Sequence, residues 1–189
     1  MNSTPSDYGI KMDSALSAVR RMHSDVSKLL VDADSSIGKG LTPLFGPYAT
    51  TNLTYNYRAD YWMAAFVYRL FADANDPGKV KGLTVWFFDD TALVTEPLLL
   101  VGELDYDLTP EQSIDKTWVS DLINAYSKWN GDPSPDSVLT GKNPKAATRI
   151  RSYKVIAKPL YSIASMADVV ELMDRVQQKT SPNDLEGLK

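Results

Sequence analysis

The stretch EPLLLVGELDYDLTPEQ, residues 96–112, carries the strongest fold signal in the chain. Its apolar run PLLLV lies between charged residues, which is typical of a strand buried inside a sheet. The run ends in Glu103, Asp105 and Asp107, and side chains two apart on a strand share one face. The TPEQ that follows can start a helix, because Thr109 can act as the cap and Gln112 completes a capping box. The stretch therefore predicts a central strand followed by a helix.

Two further β runs precede this strand. The aromatic segment YNYRADYWMAAFVYRLF, residues 55–71, is rich in β-forming residues. The turn DANDPGK separates it from the apolar run GLTVWFF, residues 82–88. Three β runs joined by short connections predict an antiparallel meander.

Helical patterns and one more strand complete the chain. Apolar residues at three- and four-residue steps predict a helix over 12–33, and a wide apolar stripe predicts another over 109–130. The run SYKVIAKPL, residues 152–160, predicts a strand in which Pro159 indicates an edge position or a strand end. Ser165 and Asp168 are placed to cap a last helix.

The resulting order is α-β-β-β-α-β-α. This order predicts an α+β fold with a mostly antiparallel sheet, a three-strand meander plus one further strand, against which three helices pack. We expect one domain over residues 1–189, with a flexible arm at 1–10, a surface loop at 131–148 and a frayed tail at 180–189.

Composition excludes several classes of site. The chain of 189 residues has no cysteine and one histidine, which removes disulfides, thiolate metal sites and cysteine nucleophiles and disfavours a hydrolytic triad. The net charge of −4 gives no general attraction to nucleic acid or anionic membrane. With a polar N-terminus and no apolar run long enough to span a bilayer, the expectation is a soluble cytoplasmic protein.

The carboxylates at strand ends are the strongest chemical candidates. Asp89 and Asp90 end the second run, and Glu103 and Asp105 end the third, so neighbouring strand ends could bring four carboxylates together. Oxygen ligands of this kind suit Mg²⁺ or Mn²⁺, which promote phosphodiester hydrolysis by activating water. The alternative is that these residues are the solvated ends of buried strands.

A helix, three strands, a helix and a strand in this order resemble the core of the restriction-endonuclease-like nucleases. In that superfamily an Asp and a following Glu-x-Lys lie on adjacent strands, and the matching positions here are Asp90 and Glu103-Leu104-Asp105. The resemblance covers about residues 12–160 and implies a metal-bound Glu103 as a catalytic residue. Asp105 departs from the pattern because it stands where the Lys belongs, and Lys116 is the candidate substitute.

Two other groups of residues have both a binding and a structural interpretation. Six basic residues follow one another with no acid between Asp136 and Asp168, and they can bind phosphates or protect a sheet edge: Lys142, Lys145, Arg149, Arg151, Lys154 and Lys158. Six aromatic residues can line a pocket or fill the core: Tyr55, Tyr57, Tyr61, Trp62, Phe66 and Tyr68.

Three functions are consistent with these features. The first is a binding or regulatory domain that acts through a protein partner or a homodimer. Its main support is the lack of a complete catalytic constellation, and the broad apolar face of the 109–130 helix allows a homodimer. The second is a divergent Mg²⁺- or Mn²⁺-dependent nuclease or phosphoesterase that holds nucleic acid through residues 142–158. The third is a carrier of a small ligand in an aromatic-lined pocket.

Overall fold

A seven-stranded antiparallel sheet lies at the centre of the part of the chain that the structure describes. The computed structural model describes residues 7–45, 50–51, 65–87, 96–109, 111–129, 136–143, 145 and 147–178. The strands are β1 (Thr42–Pro43), β2 (Thr50–Thr51), β3 (Phe66–Ala72), β4 (Lys79–Trp86), β5 (Leu98–Tyr106), β6 (Leu139–Lys142) and β7 (Ile150–Pro159). The α-helices are α1 (Asp7–Ser36), α2 (Asp121–Ser127) and α3 (Met166–Gln178), and 3-10 helices span Lys116–Ser120 and Leu160–Ser162.

The strand order is β1-β3-β4-β5-β7-β6, and β2 also pairs with β3. β5 is therefore an interior strand, paired with β4 on one side and β7 on the other. Its run Leu98–Val101 is buried throughout, which explains why the sequence shows a continuous apolar run rather than an alternation. The prediction of a central strand is confirmed.

Each face of the sheet carries its own core. On one face, called the α2 face, Leu98, Leu100 and Leu104 of β5 pack with α2. On the opposite face, called the two-helix face, Leu99 and Val101 pack with residues of α1 and α3. The described elements thus form three layers, with the sheet in the middle.

A glycine of β5 lets α2 lie close to the sheet. Gly82 of β4 lies opposite Gly102 of β5. A Cβ at Gly102 would lie 2.7 Å from Cδ2 of Leu122 and 2.6 Å from the carbonyl oxygen of Lys154. The missing side chain therefore leaves the space into which Leu122 packs.

The α+β class and the main element order are confirmed, including the helix that Asp168 caps. The carboxylate of Asp168 accepts hydrogen bonds from the backbone N–H groups of Ala164 and Ser165, each at 2.8 Å. These bonds hold the pKa of Asp168 below its ordinary value.

The prediction of one helix over 109–130 is wrong. The side chain of Gln112 does accept a hydrogen bond from the Thr109 N–H, as a capping box requires, but no helix begins there. The chain instead becomes helical at Lys116, because Asp115 accepts a hydrogen bond from the Thr117 N–H at 2.7 Å. A 3-10 turn and the seven-residue α2 replace the predicted long helix.

The sheet is wider than the sequence predicts. Part of the predicted surface loop 131–148 is β6, which pairs with β7, so β7 is an interior strand with Pro159 at its end rather than an edge strand. The ring of Tyr153 lies over Gly141, where an added Cβ would overlap the ring. At the other end of the chain, α1 begins at Asp7, inside the predicted flexible arm; the predicted tail at 180–189 lies outside the described residues.

Candidate functional site

Glu103 lies in a row of charged side chains that crosses three strands. It pairs with Lys81 of β4 on one side and Lys154 of β7 on the other. The lysine Nζ atoms lie 3.5 and 4.0 Å from the two carboxylate oxygens. Two ammonium groups against one carboxylate give this row a net positive charge, which is the opposite of what a divalent cation requires.

Asp105 lies on the same face of β5, as the two-residue spacing predicts, and it faces Arg151. The Arg151 guanidinium lies 3.5 Å from Asp105 and 3.0 Å from Asp107. The longer ion pair does not meet hydrogen-bond geometry, so Oδ1 of Asp105 is buried with no hydrogen-bond partner among the described residues. Burial raises the pKa of Asp105 above its ordinary value, and Arg151 opposes this rise.

The structure does not describe the other predicted metal ligands. Asp89 and Asp90 lie outside the described residues, and for Lys116 only the backbone is described. The last residue of β4, Trp86, pairs with Leu98, about 17 Å along β5 from Glu103 at 3.3 Å per residue. Within the described ranges, no three acidic or histidine side chains are placed to hold a metal ion. The metal site therefore stays a prediction.

The six basic residues do not form one surface. Arg149 is bound to Asp121 beside α2, whereas Lys154 and Lys158 pair in register with Glu103 and Leu99 on the two-helix face. Lys142 lies on β6, and Lys145 lies in the turn that follows. Arg149, which precedes β7, is thus separated by the sheet from Lys154 and Lys158.

A buried polar network that sequence reasoning missed lies under α2. Asp121 is 0% exposed. Its carboxylate receives Nη2 of Arg149 at 2.7 Å and the hydroxyl of Tyr106 at 3.1 Å. The Arg149 guanidinium lies 4.9 Å from the ring of Trp118, which stacks on Tyr106. The charges of this network are matched internally, so it anchors α2 to β5 and β7.

The described members of the predicted aromatic cluster belong to the core. Phe66 and Tyr68 are buried on the α2 face, and the other four members of the predicted aromatic cluster lie outside the described residues. The single histidine, His23, packs its ring 5.1 Å from that of Phe87.

One surface of α1 is incompletely buried. Its stripe, apolar except for His23, repeats at alternating steps of four and three residues and extends one residue past the end of α1: Met12, Leu16, Val19, His23, Val26, Leu30, Ala33 and Ile37. From Val26 onward each member is buried against the two-helix face. Met12 and Leu16 are 52% and 43% exposed. Met12, Leu16 and Val19 belong to neither core.

An apolar cleft of about 590 Å³ lies beside the packed half of α1. The chain between β7 and α3 forms its other wall, and the side chain of Tyr161 at this wall is 80% exposed. Its apolar lining residues are Met22, Val26, Leu29, Pro97, Leu160, Ile163, Ala164 and Met166, and Asp25, Lys28 and Asp32 add charge. The sequence shows the helical period of this region but not which turns lack a neighbour.

Comparison with known proteins leaves the function to be argued from this geometry. No protein-family model matches the chain, and no curated protein or solved structure matches it significantly. Among the helices of the described ranges, none combines the length and apolarity that crossing a membrane requires.

Proposed function

We propose that the protein is a binding domain that acts through a protein partner, and that the partner binds to the apolar stripe of α1. The observation that carries this proposal is the continuity of the stripe. One seven-residue spacing runs from Met12 to Ile37, yet only the second half rests on the sheet. Such a spacing is typical of helices that pack along their whole length.

The exposed half of the stripe has a physical reason to bind. A helix of about 15 residues without tertiary packing is marginal in water. Burial of a Met or Leu side chain contributes about 1.5–3 kcal/mol. A partner that covers Met12, Leu16 and Val19 therefore stabilises the helix and gains affinity from the same contacts, in the manner of an amphipathic helix bound at i, i+4 and i+7.

The charged candidates support binding over hydrolysis. Glu103 already lies between Lys81 and Lys154, and Asp107 already binds Arg151. These contacts favour the interpretation of Glu103 and Asp107 as members of ion pairs within the sheet.

The test compares two variants of α1. Leu16→Asp places a charge on the stripe, whereas the control Val31→Asp places the same charge on an exposed residue of the same helix that lies off the stripe; Val31 is 61% exposed. We expect Leu16→Asp to lose at least tenfold in affinity for the bound protein, because a charge opposes burial. Val31→Asp should bind as wild type does. Equal binding by both variants, with unchanged circular dichroism, rules out the stripe as the binding surface.

A further inference from the structure

Among the residues that the structure describes, the two halves of α1 differ in what they lack: the first half lacks a surface to pack on, and the second half lacks a neighbour on one side. In the first half, the described residues leave Met12 and Leu16 exposed and Val19 partly exposed. The second half borders an apolar cleft in which the described part of the chain places no helix. We propose that a second copy of this chain covers the exposed stripe and fills the cleft. Two copies pair their α1 helices antiparallel, and the first half of each helix lies in the cleft of the other copy. This inference rests on the proposed function and names its partner.

A single two-fold axis covers the exposed first half of α1 and fills the cleft beside its second half at the same time. An axis perpendicular to the sheet reverses the direction of α1 but keeps its apolar stripe directed to the same side of the layer. The first half of each helix then lies beside residues 22–32 of the other, with Met12, Leu16 and Val19 directed into the cleft. The interface is isologous and closes at two copies.

The side of α1 that borders the cleft is suited to a neighbouring helix. Met22, Asp25 and Leu29 line the cleft. The same row, followed toward the N-terminus at helical steps of four and three, continues through Ala18, Ala15 and Lys11. Small side chains at Ala15 and Ala18 permit the short interaxial distance at which two helices interlock.

Charge favours the antiparallel direction. Residues 7–21 of α1 carry three basic and two acidic side chains. Residues 22–36 carry one basic and three acidic ones, of which Asp34 is bound by Arg69 within the same copy, so the second half still has an excess of negative charge. Antiparallel pairing brings these unlike halves together, and parallel pairing would bring like halves together. Lys11 and Asp32 lie on corresponding sides of the two halves. Pairing them places the axis between Arg21 and Met22.

The chain contains no cysteine, so engineered thiols report this pairing directly. The variant Lys11→Cys/Asp32→Cys should form a covalent dimer on mild oxidation. Within one copy the two positions are about 31 Å apart along the helix, far beyond disulfide reach. The matched control Asp13→Cys/Val31→Cys carries exposed thiols of similar spacing on the outward side of α1 and should form at least fivefold less covalent dimer.

Sedimentation equilibrium of the full chain completes the test. Wild type and Val31→Asp should sediment as dimers, and Leu16→Asp as a monomer. A monomeric wild type overturns the proposed dimer. A dimer that persists in Leu16→Asp also overturns it, as does a control double variant that crosslinks as readily as Lys11→Cys/Asp32→Cys. The proposed function is tested separately from the dimer. If wild type is monomeric but binds another protein, and Leu16→Asp abolishes that binding, the proposed function holds and only the dimer is overturned. If the monomeric wild type binds no protein, both proposals fail.

Discussion

Thr84 is a fully buried threonine whose hydroxyl finds no hydrogen-bond partner among the described residues. Its neighbours across the sheet are Tyr68 and Leu100, both in the core of the α2 face. An unpaired buried hydroxyl costs about 1–3 kcal/mol. We expect Thr84→Val to raise the free energy of unfolding by about 1 kcal/mol, because a methyl group of similar size replaces the hydroxyl.

Urea denaturation measures this change as a higher midpoint at an unchanged slope. The control Thr84→Ser keeps the hydroxyl and removes the methyl group, so it should lower the midpoint. A Thr84→Val midpoint at or below that of wild type would show that the hydroxyl has a partner.

The charged residues of β5 show which features of the site are predictable from the sequence and which are not. The two-residue spacing placed Glu103 and Asp105 on one face, because strand geometry is local. Their partners Lys81 and Lys154 follow from strand register, and Arg151 lies where the register between β5 and β7 shifts. The sequence states neither. In two neighbouring antiparallel strands, the C-terminal end of one lies beside the N-terminal end of the other. That Asp89 and Asp90 end one apolar run and Glu103 ends the next is therefore no reason to expect them side by side.

At the scale of elements, the anchoring of α2 depends on one buried ion pair. Asp121 is buried with Arg149 as its charge partner, whereas Arg151, two residues further along, is half exposed and pairs with the exposed Asp107 and the partly buried Asp105. Arg149→Ala should lower the free energy of unfolding by about 3 kcal/mol, because a buried carboxylate loses its counter-charge. Arg151→Ala, the control, should lower it by less than Arg149→Ala does, because the hydrogen-bonded partner of Arg151, Asp107, is exposed. Chemical denaturation of both variants measures the difference, and similar losses would contradict the role given to Asp121.

The same elements explain where sequence reasoning succeeded. β5 and α3 were predictable because a continuous apolar run and a capped amphipathic pattern are local signals. β6 was not, since LTGK contains one large apolar residue and becomes a strand through its pairing with β7 and the ring of Tyr153 over Gly141. The contact of Asp121 with Arg149 spans 28 residues, and no local pattern predicts it.

At the scale of the whole molecule, the α+β class followed from element order, but the uneven burial of α1 did not. The helical period is the same in both halves, so only the position of the sheet distinguishes them. Arg69, buried on β3, binds Asp34 with two hydrogen bonds at 2.6 and 2.7 Å. This tie fixes the second half of α1 on the two-helix face and leaves the first half to extend beyond it.

Hydrogen exchange should reveal this division directly. Amides in elements with few buried contacts open at low free energy, and core amides open only near global unfolding. In dilute solution we expect residues 11–20 to exchange at least tenfold faster than residues 26–35 of the same helix. Because dimer formation covers the first half, its protection should rise with protein concentration, and Leu16→Asp should abolish that rise while Val31→Asp preserves it. Equal protection of both halves in the Leu16→Asp variant would show that the first half is covered within a single copy, and the stripe would then belong to the core rather than to an interface.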